Sequence, residues 1–145
     1  MTAADIARIA SETQTIAIVG LSPKPERPSH GVARFLQEMG YRIIPVNPGH
    51  AGETILGETT YASLSDIPES EAVDMVDIFR RSDSVPPVVD EALACLPELK
   101  TVWMQIGVMH EGAAEKARAA GMTVVQNRCP AIDFPRVGAR GPGRG

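Results

Sequence analysis

Five short apolar runs rich in β-branched residues punctuate the chain, at residues 15–19, 41–48, 73–79, 101–105 and 122–126. The first, Thr15-Ile16-Ala17-Ile18-Val19, is apolar almost throughout, which predicts a strand buried on both faces of a parallel sheet. Between the runs, apolar residues return at helical spacing. Ile6, Ile9 and Ala10 do so within 5–12, and Val32, Phe35, Leu36 and Met39 after the first run. Val85, Val88, Val89, Ala92, Leu93 and Leu96 follow the third run, and an alanine-rich stretch at 111–120, closed by Gly121, follows the fourth. Ser29 is the expected N-cap of the second helix and Gly40 its stop. Pro86 and Pro87 confine the start of the third helix to 82–85, because proline fits only the first turn. Pro45 and Pro48 limit the second strand, and residues 50–68 are expected as a loop with a turn or one short helix around 63–67. Strands alternating with helices predict an α/β fold with a doubly wound, mainly parallel five-stranded sheet.

Composition narrows the class. With 145 residues, 43% hydrophobic and 22% charged, there is material for one full core, so a single domain over 1–137 is expected. The Gly/Arg/Pro-rich end, 138–145, is expected as a flexible tail. No apolar run approaches a membrane span, and Asp5 and Glu12 stand where a signal peptide needs a basic start and an apolar centre. A cytoplasmic protein with no membrane partner is therefore expected. A formal net charge of −4 argues against a nucleic-acid surface. Cys95 and Cys129 lie far apart, which supports neither a zinc site nor a disulfide scaffold, and no metal is expected. Cys95 fits a buried small hydrophobe. Cys129, in Asn127-Arg128-Cys129-Pro130, reads either as a structural thiol or as one half of a mixed disulfide with the ligand's own thiol.

The stretch after the first strand carries the chemistry. Gly20 breaks the strand, Leu21 and Ser22 follow, and a loop bearing Lys24, Arg27 and Ser29 runs into a helix. In an α/β sheet such a unit aims the helix's free N–H groups at the carboxyl edge, where anions bind. Two cations and two hydroxyls in that loop predict a phosphate-bearing ligand. The other strand ends offer Asn47 and Pro48; Ile78, Phe79 and Arg80; Gln105 and Gly107; and Arg128. They supply glycines for close approach, amides, arginines, and the apolar Ile78 and Phe79 to flank a ring. Carboxylates are confined to Glu26 and Glu111 in neighbouring loops. A dinucleotide site would show G-x-G-x-x-G and an acid at the end of the second strand. Here Gly20-Leu21-Ser22 and Asn47-Pro48 stand instead, so NAD is disfavoured. A ligand with a phosphate on its ribose suits Asn47, Lys24 and Arg27, and both NADP and coenzyme A meet that description. His30, His50 and His110 fall in separate loops or helix starts and form no nucleophile and base pair, so catalysis is not expected.

Five motifs together are more specific than any one. Ile18-Val19-Gly20-Leu21-Ser22, Pro45-Val46-Asn47-Pro48, Asp77-Ile78-Phe79-Arg80, Trp103-Met104-Gln105-Ile106-Gly107 and Asn127-Arg128-Cys129 resemble the small stand-alone CoA-binding proteins. Those are similar to the CoA-binding domain of the succinyl-CoA synthetase alpha subunit, and the resemblance spans residues 10–137. It implies a Rossmann-like domain with coenzyme A, or a short acyl-CoA, lying across the carboxyl ends of the strands. On that resemblance Gly20 to Ser22 with Ser29 meet the phosphates, Asn47 and Pro48 the ribose side, and Ile78 to Arg80 the adenine side. Gln105 and Gly107 lie toward the pantetheine. These residues include no second domain for a phosphorylated histidine and no nucleotide-grasping subunit, so ligase chemistry does not carry over. The expected role is that of a carrier, sensor or accessory subunit, with a protein partner or a second copy possible beside the small-molecule ligand. The alternatives are a small NADP-dependent reductase and a nucleotide-sensing regulatory module.

Several of these residues also have plainer readings. Lys24 and Arg27 can be solvated loop charges, Arg80 beside Arg81 can face water, and Trp103 fits core packing better than a stacking platform. His30 reads equally as a phosphate ligand or a surface histidine.

Overall fold

The computed structural model describes residues 1–143, beginning with helix α1 (Ala3–Glu12) and strand β1 (Thr15–Val19). The helix starts earlier than its apolar pattern because Thr2 and Asp5 form a capping box. The Thr2 hydroxyl accepts from the Asp5 N–H at 3.1 Å, and the Asp5 carboxylate accepts from the Thr2 N–H at 2.9 Å. Its buried face is Ile6, Ile9 and Ala10, as the pattern predicts.

Helix α2 (Pro28–Glu38) leads to β2 (Arg42–Val46). Its N-cap is Arg27 and not Ser29: Arg27 has extended backbone, makes no side-chain cap bond, and Pro28 takes the first helical position that suits its fixed φ. The Ser29 hydroxyl is used elsewhere, accepting from the Ser22 N–H at 3.0 Å. The helix buries Ser29, His30, Ala33 and Leu36, so its inner face is offset from the larger apolar residues, and Phe35 is 39% exposed.

The segment after β2 holds more structure than its composition suggests. Short 3-10 turns occur at Pro48–His50 and Leu64–Asp66, and β3 (Thr54–Ile55) pairs antiparallel with β4 (Glu58–Thr59). Leu56 and Gly57 join these strands, both at positive φ, which matches the turn twist that tight hairpins need. From there β5 (Met75–Ile78), α3 (Val85–Cys95), β6 (Thr101–Met104), α4 (Glu111–Ala119) and β7 (Thr123–Val125) follow the expected order. The sequence pattern gives no sign of α5 (Pro130–Arg136), whose interior Pro135 reads as a breaker.

All five long strands run parallel in the order β2-β1-β5-β6-β7. The chain steps outward from β1 to β2 and then returns to lay β5 on the other side of β1. Winding therefore reverses between β1 and β5, and a crevice opens at their carboxyl ends. On one face Ile16, Ile18, Met75 and Trp103 pack with Ile6, Ile9, Leu36 and Phe134. On the other, Ala17, Val19, Val76, Ile78 and Met104 pack with Val85, Val89, Ala113 and Ala117. Each fully buried Ile, Val or Leu contributes about 1.5–3 kcal/mol, so both layers are needed to hold the edge rigid.

Trp103 is core. It lies edge-on to Phe134 with ring centroids 5.7 Å apart, and its indole N–H donates to the Arg128 carbonyl at 2.8 Å. Phe134 also meets Tyr41, which ties α5 to the segment before β2. At the outer edge of the sheet, Pro45 lies opposite Ile18, and the Tyr61 N–H donates to the Pro45 carbonyl at 3.0 Å. Within the segment expected as a tail, Ala139 is buried and the Gly143 N–H donates to the Ser11 carbonyl at 2.8 Å; Arg144 and Gly145 lie outside the described residues. No helix among the described residues is long and apolar enough to cross a membrane.

Candidate functional site

At the crevice the loops after β1 and β5 touch. Gly20 has φ +90°, and a Cβ placed there would stand 2.2 Å from the Phe79 carbonyl oxygen, so only glycine fits both the turn and the approach. The Gly20 N–H donates to the Val46 carbonyl and the Phe79 N–H to the Val19 carbonyl, each at 2.8 Å. Beyond Gly20 the loop is fastened by its own side chains. His30 Nδ1 donates to the Ser22 carbonyl at 3.0 Å, and the Ser22 hydroxyl accepts from the Lys24 N–H at 3.1 Å. His30 is therefore buried and engaged with the loop, and is not a surface residue.

These contacts shape a cavity of about 410 Å³ lined by Gly20, Ser22, Lys24, Arg27, Pro28, Ser29, His50 and Phe79. Five of the residues singled out from the first loop meet here. Lys24 and Arg27 are exposed and make no ion pair among the described residues, and the first turn of α2 carries no side-chain cap. A helix N-terminus, two cations without an ion pair among the described residues and a hydroxyl thus surround one hollow, an arrangement whose charge and donors suit an anion.

The remaining candidates divide among other places. Asn47 does not line the cavity; its amide N–H donates to the Leu21 carbonyl at 3.0 Å, and its Oδ1 accepts from the Gly49 N–H at 3.0 Å. It fastens the second loop to the first. Pro48 is exposed and opens the turn that delivers His50 to the cavity wall. Leu21 and Ile78 are wholly buried, each in one of the two cores, so the Ile78 side chain is not placed to flank a ligand ring and Leu21 can offer only its backbone to phosphates. Phe79 is left as the apolar wall. Arg80 is half-buried just beyond it and lines none of the hollows described here.

Two further hollows adjoin the first. Gln105 lines an apolar cleft of about 650 Å³ that shares Pro28 and Phe79 with the phosphate-like cavity. Ile106, Cys129 and Ile132 form its other side and are shared in turn with a hollow of about 320 Å³ that contains Arg128. There the Arg128 Nε donates to Asp133 at 2.7 Å. Gly107 faces the same edge with its N–H held by Asn127 Oδ1 at 2.7 Å. The strand ends thus build a trough across the sheet, with cations at both ends and apolar walls in its middle.

Sequence reasoning passed over Pro28, although it stands between Arg27 and Ser29, and over His50 and Ile132, which the topology brings to the trough. It also passed over Asp77, although an acid inside the apolar run at 73–79 is a visible signal. Asp77 lies between Ile18 and Trp103 in the sheet, is wholly buried, and has no partner for either carboxylate oxygen among the described residues. Desolvation pushes its carboxyl well above the ordinary carboxylate range. Strand alternation places it one layer beneath Phe79 and Gln105.

Known proteins share this architecture. The protein YneT of Bacillus subtilis (strain 168) is 37% identical over 126 residues, covering 87% of this chain and 89% of its own. A Thermus thermophilus protein solved as cell-free ID.343 superposes with a TM-score of 0.87 at 36% identity, over 94% of this chain and 99% of that one. A dinucleotide-forming acetyl-coenzyme A synthetase of Ca. Korarchaeum cryptofilum, in its apo form, matches with a TM-score of 0.64 at 25% identity, over 83% of this chain and 27% of the larger one. The sequence pattern of the CoA binding domain matches residues 14–135, and the chain belongs to the CoA binding domain family.

Proposed function

We propose that this protein binds coenzyme A or a short acyl-CoA non-covalently and serves as a carrier, sensor or accessory subunit. The observation that carries this reading is the convergence of Lys24, Arg27, Ser29 and the uncapped start of α2 on one cavity at the switch point between β1 and β5. That cavity takes the phosphates. Gly20 lets the ligand's backbone-facing oxygens come close, Phe79 supplies an apolar wall, and His50 adds a donor from the loop after β2. Asn47 acts by holding that loop in place. The family membership supports the ligand class, and the adjoining trough supports a ligand that extends well beyond its phosphates.

Isothermal titration of the purified, reduced protein with CoA, dephospho-CoA, NADP and ATP tests the reading. Saturable binding of CoA with a preference over dephospho-CoA is the expected result. Binding of NADP alone would replace it with a reductase, and no binding by any of the four would remove the nucleotide from the site.

A further inference from the structure

We infer that the apolar cleft beside the phosphate cavity is an acyl pocket, and that the preferred ligand is a CoA thioester of an apolar, multi-carbon acid. The inference rests on the CoA reading and extends it to the substrate class. Pro28 and Phe79 belong to both hollows, so a ligand anchored by its phosphates has an apolar continuation past Phe79 toward Ile106, Cys129 and Ile132. Ile106 is 59% exposed and Ile132 43% exposed along that path, one after β6 and one on α5. Large apolar side chains left in water at the rim of a concave site mark surface that a ligand covers.

A second observation comes from Gln105, the polar side chain on the cleft wall. It is 7% exposed, and its Oε1 has no hydrogen-bond partner among the described residues. A buried acceptor left open is costly unless a donor reaches it. The amide N–H groups of a pantetheine arm are donors of that kind once the Gln105 amide turns toward the cleft, and they precede the thioester, so the acyl chain would follow at Ile106 and Ile132. A ligand ending in a free thiol would leave those two isoleucines in water. An alkyl chain covers them.

The test is titration with CoA, acetyl-CoA, butanoyl-CoA and octanoyl-CoA, each below its micellar concentration, on the wild-type protein and on Ile106→Ser/Ile132→Ser. Affinity is expected to rise with chain length by up to about fourfold per covered methylene until the cleft is filled. The slope should flatten in the variant, whose fold is checked by circular dichroism because both changes are at exposed positions. CoA bound with an affinity indifferent to chain length overturns the acyl pocket and leaves the phosphate reading standing. A slope that survives in the variant also overturns it. Failure of every CoA species to bind removes both readings, whereas binding of free CoA that tightens with acyl chain length in the wild type alone supports both.

Discussion

The carbonyl oxygen of Phe79 occupies the space in which a side chain at Gly20 would begin, 2.2 Å from the position of its Cβ. The two residues end neighbouring parallel strands, so this contact sets how closely the first and third crossover units meet at the site. Gly20→Ala would force the loops apart and hold alanine at φ +90°. A loss of about 3 kcal/mol in urea unfolding is expected, together with weaker CoA binding. An alanine variant as stable as the wild type would show that the two loops separate freely.

Lys24 and Arg27 stand in solvent without ion-pair partners among the described residues, so they contribute little to folding and are available to a ligand. Replacing both with alanine should leave the melting temperature within a degree or two and weaken CoA binding by roughly 100-fold, about tenfold for each charge-assisted contact. The salt dependence of binding should flatten as well. Unchanged affinity from 50 mM to 500 mM salt in both proteins, read by titration calorimetry as roughly a Debye-screening series, would take the two cations out of the site.

Asn47 fastens two loops with two hydrogen bonds, one given to Leu21 and one taken from Gly49. Asn47→Ala should destabilise the protein by about 1–2 kcal/mol and lower CoA affinity without touching the ligand directly. Asn47→Asp keeps the acceptor for Gly49 but turns a carboxylate oxygen on the Leu21 carbonyl, so it should not rescue the fastening and should weaken CoA binding at least as much as alanine. Equal stability for Asn47→Ala and the wild type in chemical denaturation would contradict the fastening role.

Asp77 gives the protein a pH dependence with a definite sign. Its carboxyl binds a proton more tightly when folded and buried than when unfolded, where its ordinary value is 3.8. The stabilising difference is fully present below that ordinary value and is lost as pH rises toward the higher folded value, at a rate of up to about 1.4 kcal/mol per pH unit. Asp74 is also shifted upward, mainly by burial, and contributes in the same direction. Urea unfolding between pH 4 and 8 should therefore show stability falling with pH, and Asp77→Asn should shallow the slope without abolishing it. A slope identical in the two proteins would mean that Asp77 is ionised in the fold.

The alternation of strands and helices was legible because parallel strands buried on both faces leave continuous apolar runs, and Thr15–Val19 is such a run from end to end. The loop that lines the first cavity was legible too, since Gly20, Lys24 and Arg27 are local to one turn. Three other features depend on contacts distant in sequence. Helix α5 is stabilised by Phe134 against Trp103 and Tyr41, which outweighs the breaking tendency of Pro135. Ser29 looks like an N-cap from its spacing, yet the Ser22 N–H claims its hydroxyl. Ile78 looks like a ring-flanking residue at a strand end, but alternation turns it into the core and leaves that place to Phe79. His50 reaches the cavity only because of the 3-10 turn after β2.

Pro45 has a consequence for how copies of this protein can meet. An outer strand normally offers a row of donors and acceptors to any passing chain, which is how sheets fuse into fibrils. Here the proline has no N–H to offer, and the segment at Tyr61 already occupies its carbonyl. A further strand would meet an interrupted ladder at this position, so self-assembly along that edge is steered away from strand addition and toward side-chain surfaces.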